Sequence, residues 1–291
     1  MSYANLYEAP GPRGIRRNRL LTAFVALGLL AVGWFVFVRF EEKDQWAAEK
    51  WTPLLRGDVW TTFILPGLAG TLAAAVVGVV LAGLFGLVFA TARLSEHRWV
   101  RVPAAVVVEF FRSVPLLLLI FFAFFGAFVL VGVNISAFAA VVFGLTLYNG
   151  SVIAEIVRAG VLSLPKGQRE AAYAMGMRKG QVMRLVLLPQ ALKAMLPALV
   201  SQFVVLLKDS ALGLIVGYDE LVDRGLNGIA ANFSNVIPAA ILIAAIFIVI
   251  NTALDRLAHR LGAASGGGGP AATARRRARP ARPAGVPATT P

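Results

Sequence analysis

Six long apolar stretches, separated by short polar segments, dominate the pattern of this chain. A helix needs about 20 predominantly apolar residues to cross the hydrocarbon core of a bilayer, and each stretch is near or above that length. The pattern therefore predicts an all-α integral membrane protein with six transmembrane helices, at residues 20–38, 67–90, 114–131, 135–156, 194–216 and 236–254.

The first stretch has two interpretations. Four arginines precede it between residues 13 and 19, as in a cleaved signal peptide. Its apolar run, however, is longer than the usual signal core of about 7–15 residues. The segment that follows, Arg39-Phe40-Glu41-Glu42, is not a cleavage site of small residues. We therefore expect a retained anchor helix.

The distribution of charge predicts the orientation. Basic residues precede the first stretch, follow the second and the sixth, and fill the segment between the fourth and the fifth. The other connections are acidic or neutral. Because cytoplasmic connections of membrane proteins carry the excess of Lys and Arg, both termini and the segment 158–193 are predicted to be cytoplasmic, in a multi-pass protein of the cell membrane.

Composition supports the membrane class. The chain is 58% hydrophobic and 15% charged, with a mean hydropathy of +0.74. Its formal net charge of +13 is explained by cytoplasmic arginines and lysines, and no aromatic-interleaved basic module suggests nucleic-acid binding. Cysteine is absent, which excludes disulfides, and no catalytic or metal-spaced cluster is visible. We therefore do not expect an enzyme.

The segment from 262 to 291 differs from the rest. A glycine-rich run leads into arginines spaced among Ala and Pro, without apolar bulk, so disorder is predicted. Two interpretations stay open for this tail: attraction to anionic membrane lipid, or a solvated low-complexity end.

The cytoplasmic segment 158–193 is the strongest candidate for function. Pro165 and Gly167 break the chain, a short helix is predicted over 168–175 with Glu170 at its start, and Gly176 ends it. A second helix is predicted over 179–188, ended by Pro189. Helical spacing places three small or apolar residues on one face: Ala171, Ala172 and Met175. From the residues alone, this segment either lies on lipid headgroups or docks another protein.

A fixed pattern favours docking. Glu170-Ala171-Ala172 is followed by Gly176, then by Val186, Leu188 and Pro189. This arrangement resembles the coupling loop of ATP-binding-cassette (ABC) importer permeases, whose pattern has Ile where this chain has Val186. The resemblance implies that Glu170 contacts an ATPase subunit and that Gly176 shapes the docking helix.

Further motifs extend the resemblance over residues 57–260. Segments 111–117, 154–160, 165–168 and 206–210 are similar to permeases that import polar amino acids such as glutamate, glutamine, histidine or arginine. Residues 7–14 and the extra first helix resemble glutamate-importer permeases of high-GC Gram-positive bacteria. The resemblance implies a five-helix type I permease core at 57–261, after a basic N-terminus (1–19) and an anchor helix with its external connection (20–56).

The same resemblance implies the assembly. A second, like or related permease would pair with this chain, two ABC ATPase subunits would dock on the loops, and an extracytoplasmic binding protein would deliver the amino acid. ATP and Mg²⁺ would be bound by the ATPase, because this chain has no phosphate-binding loop and needs no cofactor of its own.

Polar residues at membrane depth are costly and invite explanation. Asn149 and Ser151 either hydrogen-bond between helices or line the substrate path. The fifth stretch is interrupted by Lys208, Asp209 and Ser210. Either Lys208 and Asp209 bind the charged groups of the substrate, or the segment is a structural bend. Glu155 and Arg158 are predicted to pair on one helix face.

The main rival function is a transporter driven by an ion gradient, with Lys208 and Asp209 as its coupling site. An intramembrane enzyme lacks a placed nucleophile.

Overall fold

The computed structural model describes residues 11–265, and within that range it is helical without strands. Eight longer helices follow one another: α1 (Pro12–Glu42), α2 (Gly57–Arg93), α3 (Arg98–Ser113), α4 (Leu116–Val131), α5 (Ala137–Leu162), α6 (Lys166–Ala174), α7 (Lys179–Val216) and α8 (Val236–Ser265). Short helical turns at Ala48–Trp51, Thr52–Leu55, Asp223–Gly228 and Ile229–Phe233 fill the connections. The predicted all-α membrane class is confirmed.

Five helices of the described range are long and apolar enough to cross a membrane: α1, α2, α5, α7 and α8. The remaining predicted span, 114–131, is the second half of a bent pair, in which α3 and α4 meet at 100°. Pro115 causes the break, since it lacks a backbone N–H and restricts Val114 to extended backbone (φ −81°, ψ 128°). The amphipathic helix α3 was not predicted, because arginines interrupt its apolar positions.

The core is a close seam between α2 and α5. A Cβ at Gly86 would lie 2.5 Å from Ile153 Cγ2, and a Cβ at Gly150 would lie 2.8 Å from Phe85 Cδ1. Glycine at these two positions lets the helices approach more closely than any larger residue would allow. Helices α3, α4 and α7 pack around this pair, and α8 packs against α7. The anchor helix α1, by contrast, has no buried residue.

The prediction that a helix ends at Pro189 is wrong. Pro189 lies inside the continuous run Lys179–Val216 of α7. Residues Val182–Leu187 form a π-helical turn, in which the amide of Leu188 donates to the carbonyl of Met183. This wider turn accommodates a residue that has no amide hydrogen and would clash in a regular helix.

The last helix also runs further than expected. It continues through Gly262, where the tail was predicted to begin, to Ser265. The remainder of the predicted tail, 266–291, lies outside the described residues, as do residues 1–10.

The connection between α7 and α8 folds back on α2. Its residues 217–223 cross α2 near Gly70, where the Tyr218 hydroxyl donates to the Gly70 carbonyl at 2.7 Å. The amide of Leu221 donates to Thr71 Oγ1 at 3.0 Å. This connection, which we call the crossing loop, is thereby fixed to the Gly70 end of α2.

Candidate coupling and transport sites

Helix α6 forms the centre of the candidate coupling site. The chain enters it through Pro165 and leaves it at Gly176, whose φ of +77° is the left-handed conformation that glycine adopts most easily. The amide of Gly176 donates to the Tyr173 carbonyl at 2.9 Å, and the amide of Met177 donates to the Ala172 carbonyl at 3.3 Å. The predicted short helix and its glycine end are confirmed.

Two details of the predicted α6 are wrong. The helix begins at Lys166, so Glu170 lies in its second turn instead of at its start. The residues Ala171, Ala172 and Met175 do not share one environment: Ala172 is 6% exposed and packs on the core, whereas Met175 is 82% exposed. A partner would therefore meet the face that carries Glu170, Ala171 and Met175, all of which are exposed.

Contacts on its inner face hold α6 against the membrane helices. The Gln190 side-chain amide donates to Gln168 Oε1 at 3.2 Å, linking α6 to α7. Val182 and Leu187 are buried, and the remaining signature residues Val186, Leu188 and Pro189 lie on α7, the first two half-buried and Pro189 exposed. The predicted coupling residues thus divide into an exposed face on α6 and its support on α7.

A cluster of charged side chains lies beside these α7 residues. Glu155 accepts from Arg158 at 2.5 Å and from Arg93 at 2.8 Å. The predicted Glu155–Arg158 pair is confirmed, and the sequence missed Arg93, which comes from α2. Nearby, Lys179 lies 2.7 Å from Glu96 and lowers the pKa of that carboxyl. These ion pairs join α2 to α5, and α7 to the connection after α2, at the Arg93 end of the bundle.

Within the membrane helices, α5 and α7 bring three polar side chains together. The Gln202 amide donates to Asn149 Oδ1 at 2.6 Å, and the Asn149 amide lies 3.5 Å from Asp209 Oδ2. Asn149 is fully buried, and Asp209 is half-buried. Two of these residues were predicted candidates. Gln202 was missed, although an amide in an apolar run is itself a signal.

The other candidates lie apart from this group. Ser210 is buried and donates to the Leu207 carbonyl of its own helix at 2.7 Å. Ser151 is fully buried, and its hydroxyl has no hydrogen-bond partner among the described residues. Positions 149 and 151 lie two residues apart, on nearly opposite sides of a helix. Lys208 is exposed, and no carboxylate of the described residues lies within 4 Å of its ammonium group.

A buried carboxyl stands on the crossing loop. Glu220 is fully buried, and its two oxygens accept from the amides of Val222 and Asp223 at 2.8 Å. Burial raises the pKa of Glu220 to about 7, because the charged form loses its hydration, while the two amides act in the opposite direction. No group of three metal-ligating side chains occurs in residues 11–265.

Comparison with known proteins agrees with this geometry. The family described as binding-protein-dependent transport system inner membrane component matches residues 78–264. The glutamate transport system permease protein GluD of Corynebacterium glutamicum is 51% identical over 216 residues, covering 74% of this chain and 79% of that protein. The arginine transport system permease protein ArtQ of Bacillus subtilis is 34% identical, covering 68% of this chain and 91% of ArtQ.

A solved structure gives the same result. The crystal structure of an amino acid ABC transporter with histidines matches with a TM-score of 0.64 and 34% identity, over 67% of this chain and 91% of the solved chain. The family region, residues 78–264, includes α5, α6 and α7, which carry the two candidate sites. The chain therefore belongs to the inner-membrane components of binding-protein-dependent transport systems and is a permease subunit of an amino-acid ABC importer.

Proposed function

We propose that this chain is the membrane-spanning subunit of an ATP-driven importer of glutamate. The support for glutamate is the 51% identity to GluD of C. glutamicum, a glutamate permease, compared with 34% to the arginine permease ArtQ. Family membership favours this function over the rival transporter driven by an ion gradient. Both termini and α6 face the cytoplasm in this proposal, because the basic connections are grouped on that side.

The observation that carries the proposal is the exposed face of α6. Glu170, Ala171 and Met175 have no covering element in the described chain, while Ala172 anchors the opposite face to the core. A rigid helix with small and apolar residues on its free side is suited to enter a groove of another protein. We assign that groove to an ABC ATPase subunit, with one such contact on each of two paired permeases. The ATPase binds ATP and Mg²⁺.

The polar group of α5 and α7 is our candidate for the substrate path. Asp209 has the charge to accept the ammonium group of an amino acid, and Lys208 has the charge to bind a carboxylate. Asn149 and Gln202 hold the position of Asp209 through their hydrogen bonds. The exposed Lys208 would complete the substrate path at the contact with the second permease. An extracytoplasmic binding protein would deliver the amino acid to this path.

Glu170→Lys tests the coupling role. In proteoliposomes that contain the complete importer, this charge reversal is expected to reduce ATP-dependent uptake of labelled glutamate about tenfold or more, since each 1.4 kcal/mol of lost docking energy is a factor of ten. Membrane insertion and thermal stability should remain unchanged, because Glu170 is exposed. Uptake is measured together with ATP hydrolysis and co-purification of the ATPase.

Glu49→Lys is the matched control. It makes the same charge reversal at an exposed carboxylate of the connection before α2, remote in sequence from α6, and should leave uptake intact. Equal uptake by the Glu170→Lys importer and the unmodified one would exclude Glu170 from coupling. The assay also tests the substrate: unlabelled glutamate should compete with the label, and competition by arginine alone would overturn the glutamate assignment.

A further inference from the structure

A cavity of about 680 Å³ lies at the Arg93 end of the bundle, beneath α6. The end of α2, the first turn of α3, the end of α5 and the beginning of α7 form its walls. Its charged lining is strongly basic. One carboxylate, Glu96, lines the cavity together with six cationic side chains: Arg93, Arg101, Arg158, Lys166, Arg169 and Lys179.

Half of these cations have no carboxylate near them. Arg93 and Arg158 are paired with Glu155, and Lys179 is paired with Glu96. For Arg101, Lys166 and Arg169, no carboxylate of residues 11–265 lies within 4 Å. Three uncompensated positive charges around one cavity repel one another, and an anion inside would relieve that repulsion. The charge balance of the cavity therefore favours an anionic ligand.

The remaining walls are apolar, which narrows the class of anion. Val161, Leu164 and Leu187 line the cavity, and Leu162 at its edge is 57% exposed. On α3, which contributes Arg101, an exposed apolar face runs along the helix through Trp99, Val102, Val106 and Phe110. Arginines beside an exposed tryptophan and an apolar face are typical of a helix that lies at the membrane–water interface.

We propose that this cavity binds the phosphate of an anionic phospholipid headgroup, with the acyl chains along the apolar edge at Leu162. Arg101, Lys166 and Arg169 would contact the phosphate. A soluble phosphate would match the positive charge of the cavity but would make no contact with its apolar edge. An acidic segment of the ATPase would also match the charge, but it has no acyl chains to place along that edge. The inference rests on the membrane placement given under the proposed function, but it does not depend on transport.

Binding of short-chain phosphatidylglycerol to the purified full-length chain in neutral detergent tests the inference. The apparent Kd is obtained from the dependence of thermal unfolding on lipid concentration, with phosphatidylcholine of equal chain length and inorganic phosphate as parallel titrations. We expect tighter binding of phosphatidylglycerol than of either. The double variant Arg101→Gln/Arg169→Gln should weaken it about 25-fold, at about fivefold for each basic residue near a lipid surface.

The matched control is Arg16→Gln/Arg17→Gln, which removes two exposed arginines from α1, where neither lines the cavity. It should bind phosphatidylglycerol like the unmodified chain. Equal loss in both double variants would overturn the proposal, as would equal affinity for inorganic phosphate or for phosphatidylcholine. Release of the bound lipid when the ATPase is added would assign the cavity to the subunit contact instead. Failure of the importer assay would leave these binding results unchanged, so the two proposals fail separately.

Discussion

The two ends of helix α2 meet the rest of the molecule in opposite ways. At the Gly70 end, the backbone of the crossing loop rests directly on α2, so that a Cβ on Gly70 would overlap the carbonyl oxygen of Asp219. At the Arg93 end, long charged side chains reach across to Glu155, and a cavity lies beneath α6. One end is joined by backbone contact, the other by ion pairs around open space.

This difference indicates which end can change shape. Backbone atoms in van der Waals contact cannot shift without losing packing, whereas a largely exposed ion pair such as Lys179–Glu96 contributes little net stability and is weakened by salt. The end that carries α6 is therefore the more adaptable one. In the proposed importer, in which the ATPase contacts α6, movement would begin at this end.

The largest expected effect is from Gly70→Ala, which would break the fixed end. The added Cβ meets a backbone carbonyl that cannot rotate away, and overpacking of this kind costs about 1–3 kcal/mol. Thermal unfolding of the purified chain in detergent measures the loss. Gly83→Ala on the same helix is the control, since a Cβ there meets nothing within 4 Å. Equal stability of the two variants would refute the backbone contact.

A smaller effect on stability is expected from a change of pH, through Glu220 on the crossing loop. The pKa of Glu220 is about 7 in the folded chain against 4.5 for an ordinary glutamate, so the folded state binds the proton more tightly. Stability is then greatest below about pH 4.5 and falls as the pH rises through about 7, by about 2 kcal/mol between pH 5.5 and pH 7.5.

Thermal unfolding at these two pH values checks the direction of the change. Glu220→Gln should flatten the profile, because an amide does not titrate, and Glu49→Gln at an exposed position should preserve it. A profile that is unchanged in Glu220→Gln would show that another group is responsible.

The smallest effect is expected at the adaptable end, from Gly176→Ala. Open space surrounds Gly176, so the cost comes only from its positive φ, at about 1–2 kcal/mol. Local opening of α6 should increase about 5- to 30-fold, measured as faster hydrogen exchange of its amides. Gly180→Ala, four residues on and without a positive φ, should not accelerate exchange. Acceleration in both variants would contradict the role of backbone conformation.

Hydropathy alone located most of the fold. All six predicted spans coincide with helices, and five of these helices are long and apolar enough to span alone, because a run of apolar residues in a membrane has few alternatives to a helix. The helix that hydropathy missed is α3, whose apolar face is interrupted by charges, so that its sequence resembles a connection. Pro189 was misplaced because the π-helical turn that accommodates it depends on backbone geometry, which the sequence does not display.

The sequence predicts some features of the two candidate sites and not others. The glycine end of α6 follows from one residue type, and it was found. The burial of Ala172 depends on how α6 packs against the core, and the contact of Asn149 with Gln202 depends on the register between α5 and α7. Such relations join residues that are far apart in the chain, and a single sequence contains no measure of them.

The uninterrupted course of α7 has a mechanical consequence. Its 38 residues, at 1.5 Å each, form a rod about 57 Å long that begins three residues after Gly176 and passes Asp209 near its far end. If one end is held, a tilt of one degree displaces the other by about 1 Å. In the proposed importer, a tilt of about five degrees at the α6 end would therefore move the opposite end of α7 by about 5 Å.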